Sequence, residues 1–230
     1  RSRYAHGDTV VAIRQTAGRG QRGHRWESVP GENLTFSIVL EPTFLAAGEQ
    51  FLLSEAIALA VTDTLQEYGI GATIKWTNDI VLEGKKLCGI LTEMGLENEI
   101  NALQYLVTGI GVNVTQRPED FSPDVRPIAA SLFNVLGRPV RRSELAVQII
   151  RALDRMYSAF PQGKADYLAR YRADCLTPGN RVQLITPASR TEATALSIDD
   201  EFRLVVEYDD GRREALSAGE VSVRGMYGYV

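Results

Sequence analysis

Two rhythms of apolar and polar positions run along this chain, and they change the expected structure at defined points. Thr9 to Ile13, "TVVAI", and Asn33 to Leu40, "NLTFSIVL", read as strands, the second with alternating character. Phe51 to Tyr68 has helical spacing: Phe51, Leu52, Ile57, Ala58, Val61 and Leu65 form one apolar face, and Gly69 stops it. Thr73 to Trp76 is a short strand. Ile80 to Leu82 and Leu87 to Met94 form a hairpin closed around Glu83-Gly84, and Gln104 to Val114 is a further strand. Ala129 to Leu136 reads as a short helix. Arg142 to Phe160 is a long one, with Ser143 as N-cap and Leu145, Ile149, Ile150, Leu153 and Met156 on its buried face. Ala165 to Ala173 adds a helical turn or two.

The rhythm then changes. "TPGNRV" at 177–182 is a break, and only short strands follow it: 182–185, 191–196, 203–207, 213–216 and 221–224. "SIDDE" and "DDG" mark turns between them. Five strands of this length suggest a small SH3-like β-barrel. The predicted organisation is a domain over 1–174 and a second over 175–230.

Composition narrows the class. Of 230 residues, 44% are hydrophobic and 23% charged, as in ordinary globular proteins. The net charge of −4 disfavours nucleic-acid binding by the whole surface. No apolar run approaches the roughly 20 residues that span a bilayer, and no signal peptide is evident. Cys88 and Cys175 are expected to be reduced core thiols of a cytoplasmic protein. His6 and His24, the only histidines, do not support a zinc site.

Three stretches carry chemistry. "AGRGQRGHRW", residues 17–26, leaves a strand; Gly18, Gly20 and Gly23 allow close backbone approach, and Arg19, Arg22 and Arg25 bring charge. Such a loop suits a phosphate and would order around a ligand, with Trp26 able to stack on a purine. A solvated RG-rich loop would look the same. "KWTNDIVLEGKKLCGILTE", 75–93, crowds Lys75, Asn78, Asp79, Lys85 and Lys86 around an apolar hairpin. Strand alternation puts Lys86 on the face of Cys88 and Ile90, where a lysine is costly unless it meets an anion. The alternative is a charged guard on an edge strand. "GIGVNV", 109–114, sets two glycines inside a strand, which a ligand or a bulge would explain; Asn113 adds a polar handle.

In this order and spacing the GRGxRGxxW loop, the KWxND hairpin with KKxxGIL, and GIGxNV resemble the biotin protein ligases over nearly the whole chain. The resemblance implies an α+β fold of the class II synthetase and biotin ligase kind. Its mixed, mostly antiparallel sheet is flanked by helices, and a small SH3-like barrel follows. It implies an ATP-dependent ligase that uses Mg2+, forms biotinyl-5′-AMP and transfers biotin to a lysine of a biotin carboxyl carrier protein.

By the same resemblance, Lys86 and Arg19 are the catalytic cations. Gln15, Arg19, Gly20, Gln21, Lys86, Gly89, Ile90 and Gly111 surround biotin. Gly18, Arg22, Trp26, Lys75, Asn78 and Asn113 hold the nucleotide, with Asp79 near the metal. No DNA or membrane partner is expected, and a homodimer paired through sheet edges is compatible.

Three departures are visible. Thr77 stands where the family usually has proline, and His24 where some members have arginine. The family's Ser/Thr-Asn segment, which holds the ureido ring of biotin, precedes the first strand and is not in this sequence; without it biotin affinity is expected to fall. Nor is a helix-turn-helix present, so a ligase without repressor function is expected. Two other readings remain at this point: a lipoate or octanoate ligase or transferase, and a nucleic-acid-binding module.

Overall fold

The computed structural model describes residues 4–23, 25–45, 50–97, 102–186, 188–217 and 222–225; for Arg22, Gln50, Phe51, Leu96, Glu97, Ala102, Leu103 and Ser222 it describes the backbone alone. His24, the expected Phe51 packing and the start of the last predicted strand at Val221 lie outside the described side chains.

Six strands, β1 (Thr9–Ala12), β2 (Asn33–Leu40), β3 (Thr73–Lys75), β4 (Asp79–Leu82), β5 (Lys85–Glu97) and β6 (Ala102–Asn113), form one sheet in the order β1-β2-β6-β5-β4-β3. Every neighbouring pair is antiparallel. Isolated parallel bridges add Ala129 beside Lys86 and Cys175 beside Ile74. Alternation in β2 sends Leu34, Phe36, Ile38 and Leu40 into the core, all nearly inaccessible. The β4–β5 turn is the predicted Glu83-Gly84 pair, both with positive φ, as a two-residue hairpin turn requires.

Two helices supply the core behind the sheet: α1 (Gln50–Glu67) and α3 (Arg142–Asp174), with the short α2 (Leu132–Leu136) between them in sequence. The sequence predicts one apolar face for α1. Instead Leu53, Ala56, Leu59 and Ala60 are buried along with Leu52, Ile57, Ala58, Val61 and Leu65, because α1 is packed against both the strands and α3. The expected stop after Phe160 is absent. α3 runs through Pro161, since Met156 and Phe160 before it and Leu168 and Tyr171 after it are buried in one core. Its N-cap is Arg141, which makes no side-chain cap bond, and the expected cap Ser143 lies inside the first turn. α2 begins only at Leu132, capped by Ser131, because the preceding Ala129 and Ala130 run alongside Lys86.

After α3, strands β7 (Arg181–Ile185), β8 (Arg190–Ile198), β9 (Leu204–Glu207), β10 (Arg213–Leu216) and β11 (Ser222–Gly225) form an antiparallel sheet in the order β10-β9-β8-β7-β11. Val182, Leu184, Leu204 and Val206 join the same hydrophobic core as the larger sheet. Both cysteines are free and buried. Among the described residues no helix is long and apolar enough to cross a membrane.

Candidate active site

The open face of the larger sheet forms the floor of a cleft of about 570 Å³. Register explains its flatness. Gly89 pairs with Gly111, Leu91 with Gly109, and Thr35 and Ser37 of β2 continue the same rows. A methyl group on Gly111 would come within 2.6 Å of the Trp26 ring, and one on Gly89 within 3.1 Å of that ring and 2.9 Å of the Lys86 side chain. The two glycines are therefore required by what lies on them.

Trp26 reaches this position through the loop that precedes it. Its backbone N–H donates to the Gly18 carbonyl at 3.0 Å, and Arg19 bridges Arg25, so the described residues between Gly18 and Trp26 belong to a small arch closed at its base. The Trp26 carbonyl sits where a Gly18 side chain would have to go. The sequence reading puts Trp26 on the nucleotide side and Gly89 and Gly111 on the biotin side; the structure stacks them in one place. Gly20 and Gln21 line the cleft from the arch, and Gly18 lines a shallower recess beside it. The Arg22 backbone lies in a 3-10 turn with Gln21 and Gly23. Arg19 is largely exposed and paired with Glu93 at 3.3 Å.

Lys86 is placed by a feature that alternation does not predict. Ile80 pairs with Cys88 but Val81 with Lys86, so Leu87 is an extra residue in β5. The bulge buries both Leu87 and Cys88 and turns Lys86 onto the face of Gly89, against the expectation that it shares the face of Cys88 and Ile90. Lys86 Nζ stands 2.6 Å from Asp79 Oδ1 and 5.6 Å from the centre of the Trp26 ring. Its backbone is fixed as well: its N–H donates to Ile128 at 2.7 Å and its carbonyl accepts from Ala130 at 2.9 Å.

Lys75 is buried, lines the cleft, and has its pKa lowered to about 8. Burial is the main cause; Asp79 opposes it, while Lys86 and Arg224 add to it. Asn78 also lines the cleft and donates to the Ile90 carbonyl. Ile90 lines the cleft as well, and it pairs with Ile110 and is almost wholly buried.

Asn113 lines the cleft too, but its amide is already bonded within the protein. Oδ1 accepts from Asn33 (3.0 Å) and Gln116 (3.1 Å), and Nδ2 donates to Ala130 (3.0 Å) and the Lys86 carbonyl (3.4 Å). By contrast, Gln15 Oε1, Trp26 Nε1 and Thr35 Oγ1 are buried in the cleft wall with no partner in the protein.

Sequence reasoning misses Thr35, Glu93 and Arg224 of β11. Each lines the cleft, and nothing in their local sequence marks them, since only sheet register or the docking of a distant strand brings them there. Among the described residues no three His, Cys, Asp or Glu side chains converge to hold a metal.

Known proteins share the sequence and fold of this chain. The profile of the biotin/lipoate A/B protein ligase family matches residues 1–113, and that of the biotin protein ligase C terminal domain matches 177–224. The chain is 32% identical to the biotin–[acetyl-CoA-carboxylase] ligase of Mycobacterium tuberculosis, over 94% of this chain and 78% of that protein. It is 34% identical to the bifunctional ligase/repressor BirA of Bacillus subtilis over 92% of its own length, which spans 65% of that relative. The biotin protein ligase from Aquifex aeolicus, solved in complex with biotin and ATP, superposes with a TM-score of 0.84 at 25% identity, covering 97% of this chain and 91% of that one. With the same overall fold and a relative this similar over most of both lengths, the chain belongs to the biotin/lipoate A/B protein ligase family.

Proposed function

We propose that the protein joins biotin to ATP as biotinyl-5′-AMP and then transfers the biotinyl group to a lysine of a biotin carboxyl carrier protein. The observation that carries this reading is the composition of one cleft. It combines an apolar glycine floor under an indole, two lysines beside one carboxylate, and three buried polar atoms lacking a partner. An unsatisfied buried polar atom costs about 1–3 kcal/mol, which a ligand with both donors and acceptors, such as a ureido ring, would offset. The relatives named for biotin ligation support the same choice.

In the first step the biotin carboxylate attacks the α-phosphorus, the bond to the bridging oxygen breaks, and pyrophosphate leaves. Two anions must meet, so fixed cations lower the barrier. Lys86 holds the carboxylate, and Asp79 orients Lys86. Lys75 and Arg224 face the phosphates, with Asn78 beside them. Arg19 exchanges Glu93 for the acyl phosphate as the arch formed by Gly18, Gly20, Gln21 and Arg22 settles on the ligand. Gln15 and Trp26 contact the biotin, and Gly89 and Gly111 shape its site by letting the Trp26 indole lie against the floor. Asn113 acts through Lys86, whose carbonyl it holds. In the second step the acceptor amine attacks the acyl carbon, the C–O bond to the phosphate breaks, AMP leaves, and the amine loses a proton. Closure of the arch keeps water from the anhydride.

Magnesium, when bound with the triphosphate, neutralises phosphate charge. The donor set fits an ion held mostly by phosphate oxygens, with Asp79 as its single carboxylate, rather than a cage built by the protein. In this reading residues 1–174 form the catalytic domain, 175–230 form the C-terminal domain and lend Arg224 to the cleft, and the protein works in the cytoplasm.

ATP–pyrophosphate exchange tests the proposal, run with biotin, with lipoate and with neither. Exchange with biotin alone is expected. Exchange with lipoate alone, or with no acid at all, would overturn it.

A further inference from the structure

The turn between β8 and β9 reaches out of the small sheet and into the larger one. Asp199 shapes it: Oδ1 accepts from the N–H groups of Glu201 and Arg203, each at 2.9 Å, and Oδ2 accepts from Arg203 Nε at 2.8 Å. Phe202, at its tip, has a φ of 59°, a region that non-glycine residues rarely adopt, and is 2% exposed. Arg172 of α3 fastens the turn, donating to the Ile198 carbonyl at 2.8 Å and pairing with Asp200 at 2.7 Å.

The tip meets the segment that carries Lys75 and Asp79. The Phe202 carbonyl accepts from Trp76 Nε1 at 3.1 Å, and its ring meets Tyr171 edge-on at 5.4 Å. Tyr171 in turn donates to the Thr77 carbonyl. The Trp76 N–H donates to Thr177 Oγ1 at 2.9 Å, and the Leu176 N–H to the Ile74 carbonyl at 2.9 Å. Residues 74, 76 and 77 are thus held from behind by Phe202 and by residues 171–177. Lys75, between them, and Asp79, two residues beyond, line the cleft. Backbone anchoring on both sides of a buried lysine leaves its side chain little freedom to move away from its place.

We propose that Phe202 is a positioning residue: through Trp76 and Tyr171 it sets where Lys75 and Asp79 stand, and by this route the small sheet takes part in handling the nucleotide. The inference rests on the adenylation reading for its consequence, though not for the mechanical link itself. A side chain that only fills the core would stabilise the fold without acting selectively on one substrate.

The test uses the full chain with Phe202→Ala, Phe202→Leu and Trp76→Phe, the last removing the indole donor along with part of the ring system. Val206→Ala, a fully buried cut within the same small sheet, is the control. Amide hydrogen exchange is followed without ligand, and biotin-dependent pyrophosphate exchange is measured for KM and kcat. The Phe202 and Trp76 variants are expected to exchange roughly tenfold faster across residues 75–80, with β2 and β6 unchanged. They should raise the ATP KM about tenfold and leave the biotin KM within about twofold. Val206→Ala should do neither. Unchanged exchange at 75–80 in folded Phe202→Leu and Trp76→Phe would overturn the proposal, as would equal effects from Val206→Ala. If Phe202→Ala does not fold, those two variants decide the matter. If the unaltered protein shows no biotin-dependent exchange, the functional reading fails, and hydrogen exchange still decides the link.

Discussion

The Lys86 ammonium stands 2.6 Å from Asp79 because β5 carries one residue more than β4 opposite Leu87. Without that bulge Lys86 would point toward the helices. The pair is partly buried, and each member orients the other. Lys86→Ala is expected to cut biotin-dependent pyrophosphate exchange by roughly 100-fold or more, with the fold intact by circular dichroism. Asp79→Asn should cost about tenfold. Unchanged turnover in Lys86→Ala would remove it from the chemistry.

Gly111→Ala tests the floor. Its methyl group would meet the Trp26 ring at 2.6 Å, so the indole must shift. Biotin affinity should fall about tenfold, and the Trp26 contribution to intrinsic fluorescence should change. Calorimetry and emission spectra check both.

Lys75 gives a pH dependence of known sign. Its pKa falls from 10.5 in the unfolded chain to about 8 in the fold, so between those values the unfolded chain holds more protons. Its contribution to stability therefore improves as pH rises from about 8 to 10.5 and is least favourable below 8. The groups around it are Asp79, Lys86 and Arg224. Activity should decline above about pH 8 as the charge is lost, and Lys75→Met should raise Tm at pH 7 while weakening ATP binding. Thermal melts and ATP KM across pH measure the two effects.

Arg19 is exposed and its side chain pairs with Glu93, itself half exposed, so its removal should spare the fold. Arg19→Ala is expected to release biotinyl-AMP several-fold faster, as read in a chase with unlabelled biotin. Slower or equal release would count against the arch as a lid.

Glu55, on α1, is fully buried, one of its carboxylate oxygens has no partner, and burial raises its pKa well above 4.5. The folded state holds the proton after the unfolded state has lost it, so this group's contribution falls as pH rises above 4.5. Glu55→Gln should stabilise the protein by about 1 kcal/mol or more at pH 8 and little at pH 4. Tm against pH shows whether the two curves converge in acid.

Much of the fold was readable residue by residue. The period of two in Asn33–Leu40 and the Glu83-Gly84 turn state their structures directly, since local sterics and alternation decide both. The helix expected to end at Phe160 runs on through Pro161, because the local breaking power of proline is outweighed by burial on both sides of it. α1 read as amphipathic because the sequence does not say how many neighbours a helix will have.

The site divides in the same way. Sequence alone determined the chemical inventory: a glycine arch with arginines, two lysines and an aspartate around one hairpin, glycines inside a strand, and the family these belong to. These are local patterns, and spacing preserves them. Only the tertiary structure decided which face Lys86 takes, that Trp26 lies on Gly89 and Gly111, that Asn113 is already bonded, and that from the far end of the chain Arg224 reaches the cleft and Phe202 the back of the segment that carries Lys75. Those relations depend on strand register and on contacts between residues more than a hundred positions apart, which are fixed only when the whole core packs at once.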